Sequence, residues 1–328
     1  MGMGMGMHLL RKCLLVFAAA TCSAQAIGQS YPSKPIRMLV GFSPGGFTDI
    51  AGRLSGQGLT EAMGQQVIVE NRPGSNGAIA AEAIARAPAD GYTLYMASSG
   101  HATNPILQPQ LKVHPIRDFT AISGFADIPN ILVVHASLPA QNLQEFLALA
   151  RSRQAKPLTQ ANVGVGSPGH LIGEFLQLLA KVKFTQVPYK SSATIMIELI
   201  SGEVDFSFPS AASAMSTVQS GRIRALGMAG ARRSKAYPDI PTIAEAGVRG
   251  FEVLGWYGVF GPARIPRDVT AKLSAEMVRL AKRPDMQASL LKNGAEPIAS
   301  TSEEFTEFVA ADYEKWRKVI DAAKIKVE

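Results

Sequence analysis

Two glycine-bearing loops hold the residues with the most chemical promise. Gly41-Phe42-Ser43-Pro44-Gly45 spells G-x-S-x-G, the spacing that presents a nucleophilic serine on a sharp strand-to-helix turn in hydrolases. That chemistry draws an oxyanion donor from the backbone N–H of the residue after the serine. Here that residue is Pro44, which has no N–H, so the pattern argues against a serine hydrolase acting through Ser43. Gly164-Val165-Gly166-Ser167-Pro168-Gly169 spells G-x-G-x-x-G. A dinucleotide site of that form follows a buried apolar strand and has an acid about 20 residues on. Leu158–Asn162 is polar, and the next strand-like run ends in Val187-Pro188-Tyr189-Lys190 with no acid, so no dinucleotide is expected. His101, His114, His135 and His170 include no pair three or four residues apart and no accompanying acidic cluster. Neither a metal nor any other cofactor is expected, and the catalytic set is empty.

What the two loops share points elsewhere. Ser43-Pro44-Gly45 and Ser167-Pro168-Gly169 each follow a strand-like run and open a helical one. Serine is a good N-cap, proline suits the first helical position, and glycine leaves the first-turn N–H groups approachable. Each loop can therefore offer N–H donors and a positive helix end to an anion. Two such loops facing each other would suit a molecule with two carboxylates.

The elements that must position these loops alternate. Ile36–Val40 reads as a strand, 48–63 as a helix stopped by Gly64, 66–70 as a strand, 78–86 as a helix and 92–97 as a strand. This β-α-β-α-β order predicts a parallel sheet covered by helices. The pattern pauses over 104–119 and restarts with strand Ile131–His135 and helix 143–153. Helix 168–181, strand 183–187, helix 193–200 and strands 204–208 and Ile223–Met228 follow. Residues 251–260 form another β-rich run. The tail is helical over Arg267–Lys282, 285–293 and 303–325, with a short strand near Ile298, and covering the first sheet is its simplest destination. The fold class expected is α/β in two domains, each a mainly parallel sheet flanked by helices. Residues 27–130 and 255–328 would form the first domain and 131–254 the second. Two crossings between them would make a hinge over a ligand cleft.

Length and composition agree. At 328 residues the chain is too long for one core. With 47% hydrophobic and 18% charged residues it is neither disordered nor a charge-block protein. The net charge of +7 is scattered; its densest cluster, Arg232-Arg233-Ser234-Lys235, reads as a solvated loop, so no nucleic acid is expected and small anions suit the excess better. At the N-terminus Met1–Met7 alternates methionine and glycine without packing logic, which leaves Met7 as a second candidate start. Arg11-Lys12, an apolar run from Cys13 to Ala20 and Ala24-Gln25-Ala26 then have the form of a cleaved signal peptide over residues 1–26. Cleavage there would remove both cysteines, Cys13 and Cys22, and so exclude disulfides and thiolate chemistry from the exported chain.

Read in order along the chain, these motifs resemble the Bug family, the extracytoplasmic solute receptors of tripartite tricarboxylate transporters. The resemblance rests on Tyr31-Pro32-Ser33-Lys34-Pro35-Ile36-Arg37, the Pro44-Gly45-Gly46 loop ending in Thr48-Asp49, Val69-Glu70-Asn71-Arg72-Pro73-Gly74 and Asp90-Gly91-Tyr92-Thr93-Leu94. It continues through Gly164-Val165-Gly166 with His170-Leu171, Val187-Pro188-Tyr189-Lys190, Pro241-Thr242-Ile243-Ala244-Glu245-Ala246-Gly247 and Gly255-Trp256-Tyr257-Gly258. It implies a monomeric, non-catalytic periplasmic binding protein that closes on a small organic carboxylate and delivers it to inner-membrane transporter subunits. A ligand-dependent sensor would use the same closure. By position, the resemblance places Ser43, Gly45, Gly46, Thr48 and Asp49 of the first loop at the ligand, with Ser98 and Ser99. The second domain would add Asn162, Gly164, Gly166, Ser167, His170, Tyr189 and Lys190.

Four positions depart from the family pattern. Phe47 and Ser191 stand where glycine is usual, Asn162 where serine is usual, and Pro209 where an aspartate is common. Losing that acid disfavours amino-acid ligands, whose ammonium needs a partner, and Phe47 favours an apolar or aromatic body.

Overall fold

Ile36–Val40 (β1) is apolar at nearly every position because both its faces are covered, and Ile36, Met38, Leu39 and Val40 are all buried. In the computed structural model, which describes residues 31–326, it lies inside a six-stranded sheet. Its neighbours are β2 (Val67–Asn71) and β3 (Thr93–Ser98), both parallel to it. Beyond β3 come β10 (Trp256–Pro262), β4 (Phe119–Asp127) and β11 (Glu296–Pro297), in the order β11-β4-β10-β3-β1-β2. β10 and β11 run against the other four strands. The second sheet has the order β7-β6-β8-β5-β9, from β5 (Ile131–His135), β6 (Leu158–Asn162), β7 (Phe184–Pro188), β8 (Phe206–Ser207) and β9 (Ile223–Met228). There β5 alone of the five is reversed. Both sheets thus keep most strands in one direction, the α/β architecture that the alternating pattern calls for. The expected signal peptide, with Cys13 and Cys22, lies outside the described residues.

Helices cover both faces. α1 (Phe47–Met63) and α2 (Ala78–Ala85) follow β1 and β2; α1 stops at Gly64, whose φ of 70° lets its N–H close on the Thr60 carbonyl. α3 (Gly100–Leu107) follows β3. In the second half, α4 (Leu143–Ser152), α5 (Pro168–Ala180), α6 (Ser192–Ser201) and α7 (Ala211–Gln219) sandwich the sheet. In β5 the alternation is visible directly. Leu132 and Val134 join Phe146, Phe175 and Phe206 on one face, while Ile131 and Val133 join Ile195, Leu199 and Met215 on the other.

Four elements were not read from sequence. α3 carries Pro105 and falls at the pause in the pattern; α7 is Ala- and Ser-rich and has little apolar periodicity. β4 is interrupted by Ser123 and Gly124, although every residue from Ala121 to Asp127 is buried. β6 was set aside as polar, yet Gln160 and Asn162 are buried with their amides bonded: Gln160 Nε2 donates to the Gly169 carbonyl at 2.7 Å and Asn162 Nδ2 to Gln186 Oε1 at 2.9 Å. The helical tail, α8 (Arg267–Lys282), α9 (Pro284–Lys292) and α10 (Ser302–Ala323), behaves partly as expected. Phe305 and Val309 of α10 pack into the core of the first sheet with Trp256 and Phe260. Its later turns instead place Trp316, Val319 and Ile320 in the core of the second, beside Phe175 and Phe251. The basic cluster is not simply solvated either: Arg233 pairs with Glu245 at 2.8 Å, and Ser234 Oγ and the Lys235 N–H bond Glu296 Oε1.

The chain passes between the sheets at 128–130 and again at 253–255, and the two passages are stitched together. The Ile128 N–H donates to the Gly255 carbonyl at 3.1 Å, Ala229 N–H to Asn130 at 2.9 Å, and Val253 N–H to Ala229 at 2.8 Å. A side chain on Gly255 would lie 2.6 Å from the Ile128 carbonyl oxygen, so only glycine fits this approach. Gly255→Ala is expected to cost about 1–3 kcal/mol, seen as a melting temperature lower by several degrees. Next to this crossing, Asp127 is buried opposite Glu296 and Trp256, and its Oδ1 has no hydrogen-bond partner among the described residues. Burial pushes its carboxyl up to about 7; the Gly255 N–H opposes this and the Glu296 carboxylate adds to it. The folded protein therefore holds a proton that the unfolded chain releases near pH 4, and stability from this group falls as pH rises from about 4 to about 7. Asp127→Asn, which cannot ionise, should match the parent in melting temperature near pH 4 and exceed it by several degrees at pH 8.

Candidate functional site

A cavity of about 320 Å³ opens where loops of the two sheets meet, and Asn130, Val253, Leu254 and Gly255 of the crossing segments form part of its wall. It is of a size that small organic ligands occupy. From the side of the first sheet come Phe42, Gly46, Phe47 and Thr48 at the start of α1, Asn76, the β3–α3 turn Ser98-Ser99-Gly100 with Thr103, and Tyr257 of β10. From the side of the second come Gly166, Pro168, Leu171 and Ile172 at the start of α5, and Trp316 of α10 completes the wall. No Asp, Glu, Lys, Arg or His side chain is among these lining residues. The polarity comes from hydroxyls, amides and backbone.

The start of α1 is left open. Its N-cap, Gly46, has no side chain to cap with, and the N–H groups of Phe47 and Thr48 find no partner among the described residues. α3 begins at Ser99 without a side-chain cap, leaving the N–H groups of Gly100 and His101 unpaired in the same sense. The hydroxyls of Thr48, Ser98, Ser99 and Thr103 also lack a protein partner there. Two positive helix ends and four hydroxyls thus gather on one side of the cavity. Phe47 packs edge-on against Tyr257, ring centroids 4.7 Å apart, so it both braces its own loop and contributes to the wall. The Tyr257 phenol is pushed up to about 12, by burial first and the Asp127 carboxylate second, and stays neutral.

Asp49 fixes the first loop from behind. Its Oδ2 accepts from the Gly45 N–H at 3.0 Å and from Arg53 Nε at 3.1 Å, and its Oδ1 accepts from Asn71 Nδ2 at 2.9 Å. Asn71 also donates to the Phe42 carbonyl at 3.0 Å. Burial opposes ionisation of Asp49, but Arg53, the Gly45 N–H and Asn71 together hold it below the ordinary aspartate value. The second loop is held in the same manner by His170. Buried, and with its pKa lowered by that burial, it is neutral and accepts the Gly166 N–H on Nδ1 at 3.1 Å. Its Nε2 lies 3.7 Å from Glu174, which in turn accepts from Gln186 at 2.9 Å.

Of the residues singled out in the sequence, Gly46, Phe47, Thr48, Ser98, Ser99 and Gly166 line the cavity. Ser43 and Gly45 are exposed outside it, and Asp49 sits beneath their loop. Asn162 and Gly164 bond one another, Oδ1 to N–H at 2.8 Å. Ser167 caps α5 through the His170 N–H, and Ser191 caps α6. Tyr189 is half-buried and Lys190 exposed, both away from the wall, and the Pro209 carbonyl accepts from Ile131 N–H. The cavity residues missing from the sequence reading are mostly apolar or tertiary. Asn130, Val253 and Leu254 line it only because both crossings meet there, and Trp316 arrives from a helix almost 150 residues beyond α5's start. Thr103 and Gly100 were hidden with the unread α3; Ser98-Ser99-Gly100, a strand end running into small residues, was the one available signal.

Residues 51–325 match the family model for the tripartite tricarboxylate transporter family receptor. Protein BugT of Bordetella pertussis is 30% identical over 323 residues, covering 97% of this chain and 99% of BugT. Among solved structures, an R. palustris protein with adipate superposes with a TM-score of 0.72 at 33% identity, over 90% of this chain and 99% of that one. MatC from Rhodopseudomonas palustris with bound malate gives 0.68 at 29%, over 88% and 100%. A ligand-free TctC solute binding protein from Polaromonas gives 0.82 at 25%, over 89% and 100%. By fold and by sequence along nearly its whole length, the chain belongs to the Bug or TctC-type family of periplasmic solute-binding receptors.

Proposed function

We propose that this protein is exported to the periplasm, captures a small organic carboxylate in the cavity between its two sheets, and delivers it to inner-membrane transporter subunits without chemical change. The observation that carries the reading is the set of unpaired N–H groups and free hydroxyls at the starts of α1 and α3, in a cavity with no charged side chain of either sign. Helix ends and hydroxyls suit an anion, and a wall without carboxylates offers no partner to an ammonium. Two relatives of the same fold were solved with the carboxylates adipate and malate.

In this reading residues 27–130 and 255–328 act as one domain and 131–254 as the other, with 128–130 and 253–255 as the hinge. Better superposition on the ligand-free Polaromonas receptor than on the two complexes, despite lower identity, fits a cleft that is open here and closes on ligand. Catalysis at Ser43 finds no support: the side chain is exposed outside the cavity and is followed by Pro44.

The test is a thermal-melt panel on protein unfolded and refolded to remove carried-over ligand. A carboxylate at 100 times its dissociation constant should add about 2.7 kcal/mol, a shift of several degrees. A natively refolded protein that answers to no carboxylate would overturn the proposal. Ser98→Ala and Thr103→Val should each weaken the best ligand by about tenfold in titration calorimetry, the loss of a hydrogen bond to a charged group. Ser43→Ala should leave affinity within about twofold of the parent.

A further inference from the structure

The two helix starts that meet at the cavity are not equivalent. At α5 most donors are already spent: the Gly166 N–H on His170 Nδ1, the His170 N–H on Ser167 Oγ, and the Leu171 N–H on the Ser167 carbonyl, while Gly169, whose N–H has no partner among the described residues, is not part of the cavity wall. Pro168 has no N–H to give. The wall on that side is therefore Leu171, Ile172 and the Pro168 ring, continued by Val253 and by Trp316, whose indole Nε1–H is the one side-chain donor among them. Across the cavity the α1 and α3 starts keep their N–H groups, and Thr48 and Thr103 stand beside them. These two threonines are only 6% and 5% exposed, and their hydroxyls, without a protein partner among the described residues, are left for whatever enters the cavity. The asymmetry comes from His170 and Ser167, which use side chains to close α5, where α1 has glycine at the equivalent cap.

The geometry points to a ligand with one carboxylate and an apolar body. The carboxylate sits against the starts of α1 and α3, and the body lies between Phe47 and Tyr257 on one side and Leu171, Ile172 and Trp316 on the other. A second carboxylate at the far end would lose its water and find at most single N–H donors from Trp316 and Asn130 in place of two open helix ends, which costs more than the apolar contact returns. Asn130, whose Nδ2 already donates to the Phe208 carbonyl at 3.2 Å, keeps one N–H and its oxygen and so accommodates a hydroxyl or carbonyl on the body. This inference rests on the carboxylate-receptor reading above and narrows it.

Two carbon-matched pairs test it by titration calorimetry on the refolded full-length protein: hexanoate against adipate, and benzoate against terephthalate. The expected result is at least tenfold tighter binding of the monocarboxylate in at least one pair, with neither dicarboxylate preferred. Tighter binding of adipate or terephthalate than of its partner would overturn the inference while leaving the carboxylate receptor intact. Absence of binding by all four, with no response to any other carboxylate, would overturn both. His170→Leu supplies a second readout, since it releases the Gly166 N–H towards the cavity. The ratio of monocarboxylate to dicarboxylate affinity should fall several-fold in that variant. An unchanged ratio in a folded variant would mean that the closed cap is not what sets the preference.

Discussion

The unpaired N–H groups at the start of α1 are the feature around which the rest of the first sheet is arranged. A helix start left open is unstable unless water, a side chain or a ligand completes it. Here the capping side chain is absent because Gly46 holds the cap position, and the loop ahead of it would be free to rearrange were it not tied down. Asp49 does the tying. By taking the Gly45 N–H and binding Arg53 and Asn71, it fixes the loop from the protein side and leaves the Phe47 and Thr48 N–H groups on the cavity side. The charge needed to rigidify the loop is thereby kept behind it and compensated, so that the cavity itself carries none.

The same division of labour recurs under the second loop with neutral groups. Gln160, Gln186 and Asn162 form a connected set of hydrogen bonds reaching the loop at the Gly169 carbonyl and the Gly164 N–H, and beside them His170 takes the Gly166 N–H. Such a network is strong only when its members are satisfied, which explains why a strand as polar as β6 can occupy the interior of a sheet. Its cost is positional: once side chains have taken those N–H groups, they are unavailable to anything else. The two loops, which look alike in sequence, therefore differ chemically where they face the cavity.

Much of the fold was legible because both sheets obey simple periodicities. The β-α-β-α-β order of the first hundred residues and the long tail helices follow from apolar spacing, helix stops and strand length. The failures share a cause, which is that tertiary contact supplied what local pattern lacked. β6 survives on side-chain amide bonds, β4 on burial between β10 and the tail helices, and α3 on packing around a proline. The site was legible by half. The paired Ser-Pro-Gly loops located the two sides of the cavity, but whether their N–H groups are free depends on where Asp49 and His170 point, and no spacing rule carries that. The resemblance to a known family placed His170 at the ligand; in the structure it stands one layer behind, and the wall residues Asn130, Leu254 and Trp316 come from segments that only the folded chain brings together.

Leu254 and Trp316 tie part of the cavity's apolar wall to the crossings as well as to the two sheets. Leu254 lies in the second passage of the chain, and Trp316 stands on the turn of α10 where that helix leaves the core of the first sheet for that of the second. Just before these residues the same segments are fastened: Lys315 binds both Asp312 and the Glu252 carbonyl, and Asp312 accepts from Trp256 Nε1 at 2.8 Å. This part of the apolar wall is thereby fastened to the crossing and to β10 together, whereas the open N–H groups stand at the starts of α1 and α3 on the first sheet. Polar groups and apolar enclosure are in this way supplied to the cavity by different parts of the fold.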